Sequence, residues 1–292
     1  MYNTQSLEDF LKNIDELEII QKIKKFRGLN FYCMTNEEIA NAISNTLMYN
    51  NKFVYISNIQ TYPANTKFFR VRLLEGSHIP NKNLSTVSDF WNPPKEAVTR
   101  YGRLNKIGES LLYTSPMNPF ISIKEMKLPE NAYYALIIYK AKYEIKANLI
   151  GGEYDYDALN VKDKKMIMIN ELYNNFLRDE FSRDVGVGTE YLYQISEIIA
   201  KWYFDLPPRD VQDAWAYASV QDKTKYNVCF RPNIAKELLE LQGSVIARND
   251  DPKTITAVAV THGFNIDGIA QFYAIGSDIQ NQYFPEIQQT EL

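Results

Sequence analysis

The stretch YYALIIY, residues 133–139, is an unbroken run of aromatic and aliphatic side chains. A short apolar run rich in tyrosine and isoleucine is typical of a strand that is covered on both faces of a sheet. The run FFRVRLL, residues 68–74, predicts a second strand of the same kind. These two segments predict the centre of a sheet, and we expect further strands at residues 111–113, 143–150, 215–220, 226–230 and 245–247.

Helical periodicity appears between the predicted strands. Residues 163–181 and 189–204 predict two helices, and Pro207-Pro208 is expected to end the second one. Strands and helices of this length predict a fold of the α/β (α+β) class. We expect a central mixed sheet, with the two helices packed against it. We assign this fold to a main domain, residues 67–292.

The first part of the chain, residues 1–66, is predicted to be a helical extension. Apolar residues recur at steps of three and four over residues 6–26, with Ser6 as the expected N-cap. Thr35 followed by Glu38 predicts a capping box at the start of a second helix. The extension could hold a partner protein or cover an edge of the sheet, and the second reading is favoured.

Composition excludes several classes of function. A net charge of −4 gives no electrostatic reason to expect nucleic acid or an anionic membrane surface as a partner. No apolar run reaches the roughly 18–20 residues of a membrane span, and the polar N-terminus is unlike a secretory signal. Two distant cysteines, Cys33 and Cys229, predict neither a disulfide framework nor a metal site. These features favour a cytoplasmic protein without a metal.

Candidate functional residues are polar side chains at positions where apolar ones are expected. The chain contains no P-loop, no dinucleotide-binding glycine run, no metalloprotease helix and no nucleophile elbow. Arg70 and Arg72 alternate with apolar residues, so both should point to one face of their strand. Glu125 lies in a short apolar segment that is expected to be helical. Ser219 and Asn227 lie in or beside two apolar strands.

Five phrases of the sequence resemble the RES-domain family, which is named for an arginine, a glutamate and a serine. In the family's order they are FRVR (69–72), GRLN (102–105) with Gly108, LYTS (112–115), PFISIKE (119–125), and YASV (217–220) followed by NV (227–228). The resemblance covers residues 67–232. The family supplies the toxins of many bacterial toxin–antitoxin pairs.

This resemblance implies a compact fold similar to ADP-ribosylating toxins, in which a cleft in a twisted sheet holds NAD. It implies cleavage of the nicotinamide–ribose bond, with NAD as a substrate and not as a resident cofactor. Hydrolysis, phosphorolysis and transfer of ADP-ribose to a protein all occur in the family, and a cognate antitoxin is an implied partner. By position, Arg70, Glu125 and Ser219 match the three residues of the family name.

The chemistry of NAD cleavage suits two of these residue types. Positive charge develops on the ribose as nicotinamide leaves, and a carboxylate beside the ribose stabilises it, which is the role expected for Glu125. A guanidinium binds a pyrophosphate through two hydrogen bonds, which is the role expected for Arg70. Arg72 or Arg103 could assist, or each could be an ordinary surface charge.

The remaining candidates are expected to contact NAD directly. Ser219 should bond the ribose or a phosphate and not act as a nucleophile, because no histidine lies near it in sequence to activate it; alternatively it is a strand-end serine whose hydroxyl is satisfied by the backbone. Tyr113, at an aromatic position of the family pocket, should stack on nicotinamide or close the wall. Asn227 matches a polar position after the serine. Leu104 and Ala218 depart from the family's usual tryptophan and proline.

Two other functions stay open at this point. The domain could transfer ADP-ribose to a protein target, with residues 80–95, a long polar loop, beside that target. It could also be a non-catalytic NAD-binding module that uses the amphipathic N-terminal segment as its docking surface.

Overall fold

The structure is a computed structural model that describes residues 10, 13–54, 58–205, 212–251 and 253–288. The strands are β1 (Met48–Tyr49), β2 (Lys52–Phe53), β3 (Ile59–Tyr62), β4 (Lys67–Leu73), β5 (Leu112–Pro116), β6 (Tyr133–Ala141), β7 (Ile145–Ile150), β8 (Ala214–Ala218), β9 (Tyr226–Phe230), β10 (Leu239–Arg248), β11 (Thr256–Phe264) and β12 (Ala270–Ala274). The α-helices are α1 (Glu16–Arg27), α2 (Asn36–Leu47), α3 (Pro119–Glu125), α4 (Lys164–Ser182), α5 (Tyr193–Trp202), α6 (Pro232–Leu238) and α7 (Asp278–Tyr283).

Ten of these strands form one sheet, in the order β12-β11-β10-β6-β4-β5-β9-β8-β7-β3. Only β7 and β8 pair in parallel among the ladders of this sheet, so it is mixed. The apolar run at residues 133–139 lies in β6, which is buried along most of its length and pairs with β4 and β10. The predicted α+β fold with a central mixed sheet is therefore confirmed.

The ladder between β4 and β5 is short. It contains two residue pairs, Phe68 with Pro116 and Phe69 with Ser115, whereas β4 and β6 share seven. We call these two pairs the seam. Beyond Ser115, β5 pairs with β9 and no longer with β4. The sheet thus consists of two halves that are joined at the seam.

Four helices cover one side of the half-sheet that contains β7, β8 and β9. Phe26 of α1 lies edge-on to Phe176 of α4, and the same core contains Ile199 of α5 and the fully buried Trp215 of β8. The helix expected at residues 163–181 is confirmed as α4. The one expected at residues 189–204 is a short 3-10 turn followed by α5, and its predicted proline stop lies outside the described residues.

The N-terminal segment joins both the core and the sheet. The capping box is confirmed: Thr35 N donates to Glu38 Oε2 (2.7 Å), and Glu38 N donates to Thr35 Oγ1 (3.3 Å). Helix α1 starts after Asp15, whose carboxylate accepts from the amide of Leu17, and the predicted cap Ser6 lies outside the described residues. Strand β3 pairs with β7 at one edge of the sheet.

Three parts of the chain differ from the sequence expectations. Residues 1–66, expected to be a helical extension, also contain the strands β1, β2 and β3. Residues 80–95 hold short 3-10 turns, and Phe90 and Trp91 within them are buried in the core, so this stretch is only partly a surface loop. The strand expected at residues 245–247 lies near the end of the ten-residue β10, and β11 and β12 were not predicted. No helix in the described ranges has the length and apolar character that crossing a membrane requires.

Candidate active site

A cavity of about 570 Å³ lies next to the seam, where β4 and β5 no longer pair. Its walls come from both half-sheets, from α3 and from the connection between β4 and β5. The predicted site residues that line it are Arg70, Arg103, Tyr113, Glu125 and Asn227. The structure therefore brings together five of the seven predicted site residues, although they span more than 150 positions of sequence.

Glu125 is held in one orientation by three donors. Helix α3 begins at the Asn118 cap and ends at Glu125, which places the carboxylate at the cavity wall. Glu125 Oε1 accepts hydrogen bonds from Ser219 Oγ (2.5 Å), Asn227 Nδ2 (2.9 Å) and the backbone amide of Val220 (3.1 Å). All three donors reach the same oxygen atom, so the second oxygen, Oε2, is left for another partner.

Asn227 links this carboxylate to strand β5. Its amide nitrogen donates to Glu125, and its carbonyl oxygen accepts from Ser115 Oγ (2.8 Å). Because the two ends of the amide are bonded to a carboxylate and to a hydroxyl, its orientation is determined. Ser115 belongs to the LYTS phrase, but sequence reasoning did not single it out; its place on the same strand face as Tyr113 was the available signal.

Ser219 lies behind Glu125 and not in the cavity wall. The residue is fully buried, and its hydroxyl donates to Glu125 while accepting from the backbone amides of Gln221 (3.1 Å) and Asp222 (3.3 Å). The expected direct bond to ribose or phosphate does not fit this placement. Ser219 instead orients the carboxylate and holds the turn after β8.

Arg70 presents a guanidinium at the cavity. Its buried Nε has no hydrogen-bond partner among the described residues, and burial lowers the pKa of the guanidinium from its ordinary value. An arginine remains charged even so, and a buried N–H group without a hydrogen-bond acceptor is costly. A ligand in the cavity with an acceptor oxygen would satisfy this nitrogen atom.

Arg103 is the second arginine of the wall, and it is buried. Its Nη2 donates to the carbonyl oxygen of Arg183 (3.1 Å), and its guanidinium carbon lies over the rings of Tyr193 (5.3 Å) and Tyr217 (6.0 Å). Its buried Nη1 has no hydrogen-bond partner in the described part of the chain. Neither Tyr193 nor Tyr217 was identified as a wall residue from the sequence, because a single tyrosine in a tyrosine-rich chain carries no distinguishing signal.

Arg72 is not part of the cavity wall. Its Nη1 donates to the backbone carbonyl of Asp89 (2.7 Å) and lies 3.4 Å from the Asp89 carboxylate. This corrects the expectation that Arg72 assists in binding. Although Arg70 and Arg72 alternate on one strand, they have different surroundings because the structure holds Arg72 against the 3-10 turns that follow β4.

Tyr113 holds the wall in shape through its hydroxyl. The hydroxyl donates to Asn105 Oδ1 (2.8 Å) and accepts from the amide of Leu104 (3.0 Å), and burial raises its pKa well above the ordinary value. A Cβ on Gly102 would lie 2.2 Å from the same Asn105 oxygen, so a larger residue there would displace the Asn105 amide from Tyr113. The GRLN phrase is thus a loop fastened to Tyr113.

The charged side chains of the wall suit an anion. They are Arg70, Arg100, Arg103, Glu109 and Glu125. Glu109 is paired with Lys201 Nζ (2.5 Å), which neutralises its charge locally. Within the described ranges no group of three or more His, Cys, Asp or Glu side chains is arranged to hold a metal ion.

Comparisons of this chain with protein-family models, with curated proteins and with solved structures found no match. The resemblance to RES-domain proteins therefore stays a prediction, and the geometry above carries the functional argument.

Proposed function

We propose that the chain binds NAD in the cavity at the seam and cleaves its nicotinamide–ribose bond. The observation that carries this proposal is one oriented carboxylate, Glu125, in the same wall as two arginines, Arg70 and Arg103, each with a buried nitrogen atom that has no hydrogen-bond partner in the described part of the chain. A cavity of about 570 Å³ lies within the range that small-molecule ligands occupy.

The carboxylate supplies the chemistry in this proposal. Three donors on one oxygen of Glu125 keep its negative charge in a fixed position, so little reorganisation is needed when positive charge develops on the ribose. Stabilisation of this kind acts on the transition state more than on bound NAD, and it therefore raises the rate.

The two arginines supply binding. A pyrophosphate carries two negative charges and accepts hydrogen bonds from both guanidinium groups, which satisfies the buried nitrogen atoms of Arg70 and Arg103. This interaction is the same before and during the reaction, so it fixes the affinity and the position of NAD.

Product analysis tests the proposal. Purified protein is incubated with NAD, with and without inorganic phosphate, and the products are separated by chromatography. We expect free nicotinamide, with ADP-ribose if water is the acceptor and ADP-ribose 1″-phosphate if phosphate is. NAD that binds but remains intact in both conditions would contradict the reaction and favour the non-catalytic module.

A second assay addresses the protein acceptor and the toxin role. Labelled NAD is added to a bacterial lysate with the protein, and transfer of label to a protein band identifies an ADP-ribosyltransferase. For a toxin that depletes NAD, expression in bacteria lowers the NAD pool and stops growth, and coexpression of a cognate antitoxin restores growth. Growth arrest that persists in the Glu125→Gln variant would exclude NAD cleavage as its cause.

A further inference from the structure

A buried carboxylate outside the cavity has no role in the function proposed above. The side chain of Glu180, on α4, is 1% exposed. Burial raises its pKa, whereas the nearby Arg183 and Arg27 act in the opposite direction. Removing a carboxylate from water is costly, so a buried one is expected to hold a specific partner.

That partner is the first residue after α4. Glu180 Oε1 lies 2.6 Å from Arg183 Nη2, and the Arg183 side chain is 31% exposed. The pair ties the side chain of Arg183 back to the last turn of the helix. It thereby restrains the backbone at the point where the chain leaves α4.

The backbone at this point contacts the cavity wall directly. The carbonyl oxygen of Arg183 accepts the hydrogen bond from Arg103 Nη2 (3.1 Å), which is the only hydrogen bond of this guanidinium within the described ranges. Tyr193 and Tyr217 lie against the guanidinium, but ring contacts of this kind do not fix the direction of its N–H groups as a hydrogen bond does. The carbonyl of Arg183 is therefore what determines where Arg103 Nη1 points.

We propose that Glu180 is a positioning residue that acts through Arg183 to hold Arg103 for binding the anionic group of the ligand. This inference rests on the proposed function only in taking the cavity as the site of a pyrophosphate group. It assigns a binding role to the end of α4, more than 50 residues from any of the predicted site positions on the N-terminal side and more than 30 from those on the C-terminal side.

A double-mutant cycle measured by calorimetry tests the proposal, with inorganic pyrophosphate as the probe. We expect Glu180→Gln to weaken pyrophosphate binding about tenfold, which is within the range of coupling energies for residues in one hydrogen-bond network. In the Arg103→Ala background the same substitution should change affinity by less than about twofold, because the residue through which it acts is gone. The proposal would be overturned if the losses in pyrophosphate binding free energy of the two single variants simply added in the double variant.

The neighbouring carboxylate provides a matched control. Asp179 is on the same helix, is 52% exposed and pairs with Arg27 of α1 (2.6 Å), with no bond to Arg183 in the described part of the chain. Asp179→Asn should leave pyrophosphate binding within about twofold of wild type. An equal loss in Asp179→Asn and Glu180→Gln would mean that general loosening of α4, and not positioning of Arg103, is responsible.

A second variant covers the case in which Glu180→Gln does not fold. Arg183→Gln removes the same ion pair from its more exposed side and keeps the backbone carbonyl, and it should weaken pyrophosphate binding by a similar factor. Absence of pyrophosphate binding by the wild-type chain would overturn the proposal. If the Glu180 and Arg103 effects on pyrophosphate binding are coupled but NAD stays intact, the proposed reaction is refuted and the positioning role stands. If NAD is cleaved but the two effects simply add, the positioning role is refuted and the proposed reaction stands.

Discussion

Glu125 differs from an ordinary helix-end glutamate in that one of its oxygen atoms takes every hydrogen bond that the structure describes for it. A glutamine at this position can present its carbonyl oxygen to the same three donors. The substitution Glu125→Gln therefore removes the negative charge while the hydrogen bonds at Oε1 persist.

For NAD cleavage we expect Glu125→Gln to lower kcat by about 100- to 1000-fold, the usual effect of losing one electrostatic stabiliser of a transition state. The NAD dissociation constant should stay within a few-fold, and both quantities are measured by product analysis and calorimetry on the same preparation. If the Glu125→Gln variant keeps a kcat within a few-fold of wild type, another carboxylate must stabilise the positive charge on the ribose. Glu109 is then the first candidate, because it lines the same cavity.

Arg70 and Arg72 form a matched pair for testing the binding role. They are two residues apart on β4, but only Arg70 lines the cavity, and Arg72 is paired with Asp89. We expect Arg70→Ala to raise KM for NAD at least tenfold with a smaller effect on kcat, since pyrophosphate binding is uniform along the reaction. Arg72→Ala should leave KM within about twofold. Equal increases in KM for both variants would show that charge on β4, and not the position of Arg70, matters.

The sequence predicted which side chains come together more accurately than it predicted the role of each one. Arg70, Arg103, Tyr113, Glu125 and Asn227 come together as expected, but Ser219 lies behind Glu125, and the hydroxyl of Tyr113 bonds protein groups within the wall. A motif identifies a position without its hydrogen-bond partners, which depend on loops far away in sequence. For Ser219 the partner, Glu125, is 94 residues away.

Among the connecting elements, the turns after β4 depend on one partly exposed carboxylate, that of Asp89. Asp89 Oδ2 accepts from the amides of Ser85 (3.0 Å) and Thr86 (2.8 Å), and Arg72 lies beside its other oxygen. Burial acts to raise the pKa of Asp89, but the hydrogen bonds from Thr86 and Ser85 and the charge of Arg72 outweigh it. The pKa is therefore below the ordinary value of 3.8.

A lowered pKa in the folded state means that the ionised form of Asp89 stabilises the fold. This contribution is complete well above pH 3.8 and is lost as the pH falls through the lower pKa of the folded state. We expect Asp89→Asn to reduce the free energy of unfolding at neutral pH, and the difference from wild type to shrink as the pH falls below 3.8. Urea titrations of both proteins across this pH range measure it, and a difference independent of pH would contradict it.

Strands and helices with a continuous or periodic pattern of apolar residues could be predicted from the sequence. Those whose apolar pattern is interrupted could not. Strand β6 and helix α4 have unbroken apolar or periodic runs, whereas β10 contains Gly243 at a register shift. Gly243 has φ +126°, and a Cβ there would lie 2.0 Å from the carbonyl oxygen of Thr261. The position requires glycine because β11 passes so close, and that approach is not visible in the local sequence.

At the scale of the whole molecule, the N-terminal helices and the sheet share one core. Phe26 is 2% exposed and packs against Phe31 and Phe176, in the same core as Trp215. Phe26→Ala should therefore reduce the free energy of unfolding of the entire chain, by about 3–5 kcal/mol. Tryptophan fluorescence and far-ultraviolet circular dichroism should report the same shifted transition in denaturant.

Leu17 on the same helix is 66% exposed and provides the control, because its replacement by alanine should change stability by less than about 0.5 kcal/mol. Two separate transitions in Phe26→Ala, with loss of helix before any change in fluorescence, would show that residues 1–66 unfold as a unit of their own.

The seam has a mechanical consequence for the cavity. Each half-sheet is held internally by longer ladders, such as the seven pairs of β4 with β6 and the five of β8 with β9. A small change in the twist angle between the halves is therefore concentrated at the two pairs that join β4 to β5. Such a rotation alters the separation of Arg70, on one half, from Tyr113 and Asn227, on the other. A ligand that contacts both half-sheets would restrict this rotation and so keep their relative orientation fixed.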